Sequence, residues 1–336
     1  MARATRADVA KAAGVSVATV SHVMNGRAKE LGFLPATAQR VREAAAAVGY
    51  VPRASARSFR YQTSKVIALF FPDLPASLRL PVFNEVLTGA IDAARAQGHF
   101  ILPVPVGQDP RATVEETLRE IELAGAVCRP TPGMEEAGTL LDQAEVPVAW
   151  ISTGRQALEA PGCAALGINE ASGVRQMLTA IDTSQVRHPA VLIGPGEAGD
   201  RLPAFLERFP DARVLTAPGW LAGDARQTAS TLVSDGADLV FAGNDQLALA
   251  CCEAVTAHGL TLADDVQVFG FGDIDSGPAQ LMGISSIQWP VAELSRRAVQ
   301  ALITGASGTD ALTDDGPQEI TLQTLAHPRS STRPAR

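Results

Sequence analysis

The chain of 336 residues has no long hydrophobic run. Its longest apolar stretches, such as residues 66–72, are far shorter than the roughly 18 residues that span a bilayer, and its first residues contain no apolar signal segment. We therefore expect neither export nor membrane insertion. With 46% apolar and 19% charged residues, and with dispersed glycine and proline, the composition predicts a globular protein of more than one domain.

Cysteine is also scarce. Cys128, Cys163, Cys251 and Cys252 form neither a CxxC motif nor the spacing of a disulfide framework, which predicts free thiols in a reducing cytoplasm and no zinc site. The chain contains no GxSxG elbow and no HExxH motif, and its five histidines are scattered. We therefore expect a cytoplasmic protein that is not an enzyme and that holds no metal or cofactor.

Positive charge is concentrated at one end of the chain. The formal net charge is −8, yet the first 65 residues hold 11 Lys and Arg against 3 Asp and Glu, whereas the remainder holds 17 against 33. A small basic module attached to an acidic body is typical of proteins that bind a polyanion such as nucleic acid. A solvated basic tail without such a role is the alternative that charge alone leaves open.

The first 50 residues have the pattern of three short helices. Thr5 and Asp8 have the spacing of a capping box, and Gly14 ends the first helix. Ser16 predicts the N-cap of a second helix over residues 17–25. Its predicted outer face consists of Val17, Ala18, Ser21, His22 and Asn25. With a third helix over residues 37–48, the pattern predicts a helix-turn-helix whose second helix would lie in the major groove of DNA.

Two segments resemble the N-terminal signature of the lactose/galactose repressor (LacI/GalR) family: ADVAKAAGVSVATVSHVMNG at residues 7–26 and GYVPRASARSF at residues 49–59. The resemblance implies a transcriptional regulator whose second helix contacts bases. It places Val17, Ala18 and His22 at base-contacting positions, and Thr19, Ser21 and Asn25 at positions that contact or orient the DNA backbone. The whole predicted DNA-binding set is Thr5, Ser16, Val17, Ala18, Thr19, Ser21, His22, Asn25, Tyr50, Arg57 and Phe59.

The chain departs from the family pattern within this module. The family usually has arginine at the position of His22, and an imidazole lacks the bidentate fork that a guanidinium presents to guanine. The operator is therefore expected to differ from the usual one, and a solvent-facing His22 without a base contact is the alternative. The loop before the third helix is also longer than the common pattern, which leaves its contacts with the DNA backbone open.

The hinge of this family is implied for residues 51–63. In the family this segment becomes ordered on operator DNA, pairs with the same segment of the second protomer and inserts a leucine into the minor groove. Phe59 occupies the position of that leucine here, and a phenylalanine can also insert between base steps. The alternative is that Phe59 packs on the first strand of the body.

From residue 66 onward, short apolar runs alternate with amphipathic helical stretches, the pattern of a parallel sheet covered on both faces. The predicted strands are residues 66–71, 99–106, 126–129, 146–152, 164–168, 189–194, 213–217, 238–243, 266–272 and 284–289. Ten strands are more than a single sheet usually contains, which favours two sheets. The family resemblance continues through this region and implies an α/β fold, a periplasmic-binding-protein type I body of two doubly wound parallel-sheet subdomains with a ligand cleft between them.

The implied organisation has four parts. They are a helix-turn-helix DNA-binding domain at 1–50, a hinge helix and linker at 51–63, an effector-binding and dimerisation body at 64–327, and a flexible tail at 328–336. Subdomain 1 is predicted for about 64–155 and 290–320, and subdomain 2 for about 164–289 and 321–327. The C-terminal residues lack the leucine heptads of a tetramerising coiled coil, so we expect a homodimer.

Ligand contacts in such a cleft come from loops at the carboxyl ends of strands. Asn244 and Asp245 follow the strand predicted for residues 238–243 and match family positions that include an effector contact. An ordinary helix N-terminal acid, favoured by the helix dipole, is the alternative for Asp245. Asp273 is also a candidate, next to Gly272, which stands where the family often has a sugar-binding aspartate. That replacement weakens the case for a simple neutral sugar.

Arg201 and Trp220 complete the predicted effector-binding set. Arg201 is the candidate partner for a ligand carboxylate and Trp220 the candidate wall for a sugar ring, although surface or core roles are equally open for both. The sequence GFGDID, at residues 270–275, resembles the branch of the family associated with gluconate-like sugar acids. The expected effector is therefore a sugar or sugar acid.

The sequence disfavours two other functions. Residues 194–199 match GxGxxG, but Pro195 removes an amide from the loop and the next predicted strand has no ribose-binding acid after it, so a dinucleotide enzyme is disfavoured. A sugar-binding receptor without a gene-control role is disfavoured by the attached helix-turn-helix. We expect a repressor that binds near-palindromic double-stranded operator DNA under the control of a small metabolite.

Overall fold

The computed structural model describes residues 4–50, 64–72, 80–131, 133–152, 163–196, 199–275, 277–305 and 318–335. The chain divides into two compact units, residues 1–64 and residues 65–336. Each unit has hydrophobic clusters of its own. Among the described residues, no helix has the length and apolar character needed to span a membrane.

The first unit contains α1 (Arg6–Ala13), α2 (Val17–Met24) and α3 (Pro35–Ala47). The predicted capping box of Thr5 and Asp8 is confirmed, and Ser16 Oγ accepts a hydrogen bond from the Thr19 amide at 3.0 Å. Helix α3 begins earlier than predicted because Pro35, at its first helical position, forfeits no helical hydrogen bond. The three helices share a small core that includes Val9, Ala13, Val20, Val23, Val41 and Ala45.

The second unit alternates strands and helices. Its described helices are α4 (Pro81–Ala96), α5 (Pro110–Glu120), α6 (Met134–Gln143), α7 (Glu170–Ala180), α8 (Arg201–Arg208), α9 (Ala222–Ser234), α10 (Asp245–Ala257), α11 (Pro278–Met282) and α12 (Val291–Gly305). Its strands are β1 (Val66–Pro72), β2 (Phe100–Val106), β3 (Gly125–Cys128), β4 (Val148–Ser152), β5 (Ala164–Asn169), β6 (Pro189–Ile193), β7 (Arg213–Thr216), β8 (Leu239–Ala242), β9 (Gln267–Phe269), β10 (Ser286–Gln288), β11 (Gln318–Gln323) and β12 (Leu325–His327).

Six strands form a parallel sheet in the order β2-β1-β3-β4-β5-β11. Successive side chains of β1 point to opposite faces, so Ile67 and Leu69 pack with α4 and α12, whereas Ala68 and Phe70 pack with α5 and α6. Both faces of this sheet are therefore buried, which is why its central strands are apolar without interruption.

Four strands form a second parallel sheet in the order β7-β6-β8-β9. One face packs against α9, α10 and α11, and the other against α7 and α8. An antiparallel pair, β10 and β12, continues beside β9 through bridges from Phe269 to Ser285 and from Gly272 to Gln288. The predicted pattern of parallel sheets covered on both faces is confirmed.

Two predicted boundaries within the body are wrong. Strand β5 was assigned to subdomain 2 but pairs with β4 and β11 in the first sheet, so the chain crosses between the sheets at Asn169 and Glu170. Residues 328–335 are not a flexible tail. Ser331 and Thr332 are buried, and Ser331 Oγ donates to the Val268 carbonyl at 2.6 Å, because this segment lies along the end of the second sheet.

Candidate functional site

The candidate DNA interface lies at the start of α2. Ser16, Val17 and Ala18 are exposed, and Val17 retains 47% exposure despite its apolar side chain. Thr19 is half-buried beside them. An exposed β-branched residue one position after an N-cap serves no core, and at this place in a helix-turn-helix it could contact the edges of bases.

His22 lies further along α2 and is half-buried. Its ring stacks on Phe33 with centroids 6.2 Å apart. Phe33 belongs to the longer loop between α2 and α3. The two features that differ from the family pattern, the loop length and His22, are therefore in contact with each other. The stacking restricts the imidazole to one side of the helix.

The assignment of Ser21 to the exposed outer face is wrong. Ser21 is only 7% exposed, because one face of α2 turns inward at residues 20, 21 and 23. Its Oγ accepts a hydrogen bond from Asn25 Nδ2 at 3.5 Å, which places Asn25 against the helix that precedes it. The Tyr50 hydroxyl accepts a hydrogen bond from Arg6 Nε at 3.2 Å.

Two further DNA-binding predictions concern Arg57 and Phe59. Both lie outside the described residues, as does the rest of the segment from 51 to 63. Their roles stay predictions taken from the family resemblance.

The five predicted effector-binding residues follow the carboxyl ends of β6, β7, β8 and β9 in the second sheet. Parallel strands end at the same edge of a sheet, so their following loops meet there. The polar groups of these residues bond largely to other side chains and to the protein backbone.

Arg201 begins α8 and is 6% exposed. Its Nη2 donates to Glu170 Oε1 at 2.9 Å, its Nε to Glu170 Oε2 at 3.4 Å, and its Nη1 to the Gly243 carbonyl at 2.7 Å. The guanidinium carbon lies 4.4 Å from the ring centre of Phe271 and 4.7 Å from that of Trp289. The predicted partner of a ligand carboxylate therefore already holds a protein carboxylate.

Glu170 was missed by the sequence analysis, as were Phe271 and Trp289. Glu170 directly follows strand β5 and begins α7, and that position after a strand was the available signal. Its side chain is 0% exposed. Burial raises the pKa of this carboxyl, and the Arg201 charge acts against that shift.

Asn244 and Trp220 support each other. Asn244 Oδ1 accepts a hydrogen bond from the Leu247 amide at 2.8 Å and caps α10, while its Nδ2 donates to the Trp220 carbonyl at 3.0 Å. The Trp220 indole donates to the Pro195 carbonyl at 3.0 Å. Its ring packs so closely on Gly194 that a Cβ there would lie 2.3 Å away, so an indole covers the loop that would cradle phosphates in a dinucleotide site.

Asp245 and Asp273 are both buried behind these residues. The Asp273 carboxylate lies 2.8 Å from Arg329 Nη2 and 2.5 Å from His327 Nδ1, so it holds the C-terminal segment. Neighbouring Gly272 has a φ of +136°, and a Cβ there would lie 3.1 Å from Asp245 Oδ2. An aspartate at that position would therefore be strained. Among the described residues, no cluster of histidine, cysteine and carboxylate side chains suits a metal ion.

Comparisons with known proteins match both parts of the chain. The family described as bacterial regulatory proteins, lacI family, matches residues 5–53, and the periplasmic binding protein-like domain matches residues 183–332. The ribose operon repressor of Bacillus subtilis (strain 168) is 28% identical over 313 residues, covering 89% of this chain and 91% of its own length. The HTH-type transcriptional repressor PurR of Aliivibrio fischeri (strain MJ11) is 26% identical over 316 residues, covering 89% and 91%.

Solved structures show the same fold. The lac repressor dimer bound to operator and the anti-inducer ONPF has a TM-score of 0.79 at 20% identity, covering 99% of this chain and 100% of that chain. A lacI family transcriptional regulator from Enterococcus faecalis V583 with bound ribose has a TM-score of 0.63 at 18% identity, covering 81% and 100%. The predicted fold, a helix-turn-helix domain followed by a periplasmic-binding-protein-like body, is confirmed.

Proposed function

This chain belongs to the lacI family of bacterial regulatory proteins, and from that premise we propose that it is a cytoplasmic, homodimeric repressor without enzymatic activity. Its N-terminal unit would bind near-palindromic operator DNA, and its body would bind a sugar or sugar acid that controls this binding. The observation that carries the DNA-binding half is the exposed start of α2, where Ser16, Val17 and Ala18 project from a helix-turn-helix in the basic segment.

The effector-binding half is supported by polar and aromatic side chains gathered at the carboxyl edge of the second sheet. Arg201, Trp220 and Asn244 lie around the loops that follow β6, β7 and β8, which is the usual place for a ligand in parallel α/β sheets. Two similar proteins support a carbohydrate effector. One is a ribose operon repressor, and the other is a solved structure with bound ribose.

Control of DNA binding requires that effector binding change the arrangement of the body. In the described part of the chain, three crossings join the two main sheets, at Asn169 and Glu170, at Trp289 and Pro290, and at Gln323 and Thr324. Thr324 Oγ1 donates to the Asn169 carbonyl at 2.8 Å, so two crossings are bonded to each other. Arg201 contacts Glu170 and Trp289, one residue from each of two crossings. An effector that engages Arg201 would therefore act directly on the region that must move.

The alternative is a cytoplasmic sugar-binding receptor without a role in gene control. The two functions are separated by selecting ligands from a randomised duplex DNA library with the full-length protein. A repressor retrieves sequences with two half-sites related by a dyad, and a cognate sugar changes the retained fraction. Retrieval of no common sequence at low salt would favour the receptor.

A further inference from the structure

We propose that the buried ion pair of Glu170 and Arg201 makes the cleft select an uncharged, hydroxyl-rich effector over the corresponding sugar acid. The inference rests on the proposed function, because it assumes that a carbohydrate binds at the carboxyl edge of the second sheet. It adds the charge class of that effector, and it reverses the expectation that Arg201 pairs with a ligand carboxylate.

The positive charge of Arg201 is already neutralised inside the protein. The side chains of Arg201 and Glu170 are 8% and 0% exposed, and two hydrogen bonds join them. Arg175 and Glu207 form the same two-bond arrangement on the surface, where their side chains are 54% and 57% exposed. Water screens the surface pair, whereas the buried pair interacts in a medium of low dielectric constant, where one charge strongly affects another.

The site nevertheless contains N–H groups that these protein acceptors do not occupy. A guanidinium carries five N–H groups, and three of those on Arg201 are used by Glu170 and Gly243. The Trp289 indole, which lies against the guanidinium, has a buried Nε1 with no acceptor among the described residues. Hydroxyl oxygens of a neutral sugar would satisfy such donors without bringing a charge into the site.

A sugar acid would meet a different balance of charges. Its carboxylate would approach Arg201 beside the Glu170 carboxylate. The negative charge of Asp200 also acts on Glu170, and the positive charge of Arg129 has the opposite effect. Two carboxylates that share one buried guanidinium repel each other, so the acid loses much of the attraction that an unpaired arginine would offer.

The test uses calorimetric titration of the full-length protein at pH 7.5 with matched pairs of ligands. The pairs are D-ribose with D-ribonate, D-glucose with D-gluconate and D-galactose with D-galactonate. For any pair that binds, the neutral member is expected to bind at least about 10-fold more tightly than the acid. Glu170→Gln should narrow or invert that ratio, because it leaves the Arg201 charge free, whereas Glu170→Asp should keep the neutral preference.

Glu207→Gln is the matched control, since it removes the same charge from the exposed pair and should leave the ratio unchanged. Tighter binding of an acid by the unaltered protein would overturn the inference and leave the proposed function standing. If neither member of any pair binds, the carbohydrate effector itself is wrong. The ratio for the unaltered protein decides the proposal even if Glu170→Gln fails to fold, which its melting temperature would reveal.

Discussion

The backbone amide of Asp273 donates a hydrogen bond to Asp245 Oδ2 at 2.7 Å, so the loop after β9 is tied to the first turn of α10. Asp245 Oδ1 also accepts a hydrogen bond from Ser286 Oγ at 2.5 Å. One buried carboxylate thus joins the ends of three segments behind the candidate effector site. These hydrogen bonds hold this edge of the sheet together, and the role of Asp245 in ligand contact stays a prediction.

The stability of the protein should depend on the ionisation of Asp245. Burial raises the pKa of this carboxyl from 3.8 to about 6. The folded protein therefore binds the Asp245 proton more tightly than the unfolded chain does. The contribution of this proton to the free energy of unfolding is complete below about pH 3.8, where the unfolded chain is also protonated, and is lost as the pH rises through about 6. Relative to the unaltered protein, Asp245→Asn should therefore gain about 2 kcal/mol between pH 4 and pH 7.

Urea unfolding of both proteins at several pH values measures this difference. The comparison removes the contributions of carboxyl groups that the two proteins share. A difference that stays constant with pH, or falls, would contradict the assigned shift in the pKa of Asp245.

Removing the guanidinium partner of the buried Asp273 carboxylate should cost far more stability than breaking an exposed pair. Arg329→Met leaves the Asp273 carboxylate, whose side chain is 1% exposed, without its guanidinium partner. We expect a loss of about 3 kcal/mol in the free energy of unfolding. Arg226→Met is the control, because Arg226 and Glu253 are 70% and 48% exposed, and it should cost less than about 1 kcal/mol. Equal losses in the two variants would show that the C-terminal segment is not held through Asp273.

The packing of α4 against α12 leaves no space for a side chain at Gly89. A Cβ there would lie 2.0 Å from the Ala292 carbonyl oxygen and 2.5 Å from Ser295 Oγ. Gly89→Ala should therefore lower the free energy of unfolding by about 2 kcal/mol, since the helices must separate. Gly223→Ala, in α9 with nothing within 4 Å of the added atom, should leave stability unchanged or slightly raised. Thermal unfolding of both variants tests the contrast, and an unaffected Gly89→Ala protein would argue against this helix contact.

His22 is expected to read one base pair in each half-site. His22→Ala should weaken specific operator binding by about 1 to 3 kcal/mol and relax the preference at that position. Phe33→Leu removes the ring on which His22 stacks but keeps the imidazole, so it should weaken binding less and preserve the base preference. Selection from a randomised operator library compares the three proteins. Unchanged preference in His22→Ala would mean that His22 faces solvent without a base contact.

Capped helix starts and the alternation of strands and helices were predictable because they depend on neighbouring residues. The capping box of Thr5 and Asp8 spans one turn, and the apolar run of β1 marks a strand buried on both faces wherever it lies in the chain. The same alternation places the loops at the carboxyl ends of the strands, and the family resemblance assigned Asn244 and Arg201 to those loops.

Contacts between distant residues were decided only by tertiary structure. Glu170 lies 31 residues from Arg201 and Arg329 lies 56 residues from Asp273, and no local pattern shows that these charges pair with each other. The burial of Ser21 was misjudged for a similar reason, because helical periodicity locates a stripe but not its edges. The sequence by itself determined the helices and strands and the sheet edge at which the candidate effector site lies. Only the tertiary structure decided which charged side chains are buried and paired. Such pairs form only when the chain crossings between the two sheets bring distant segments together.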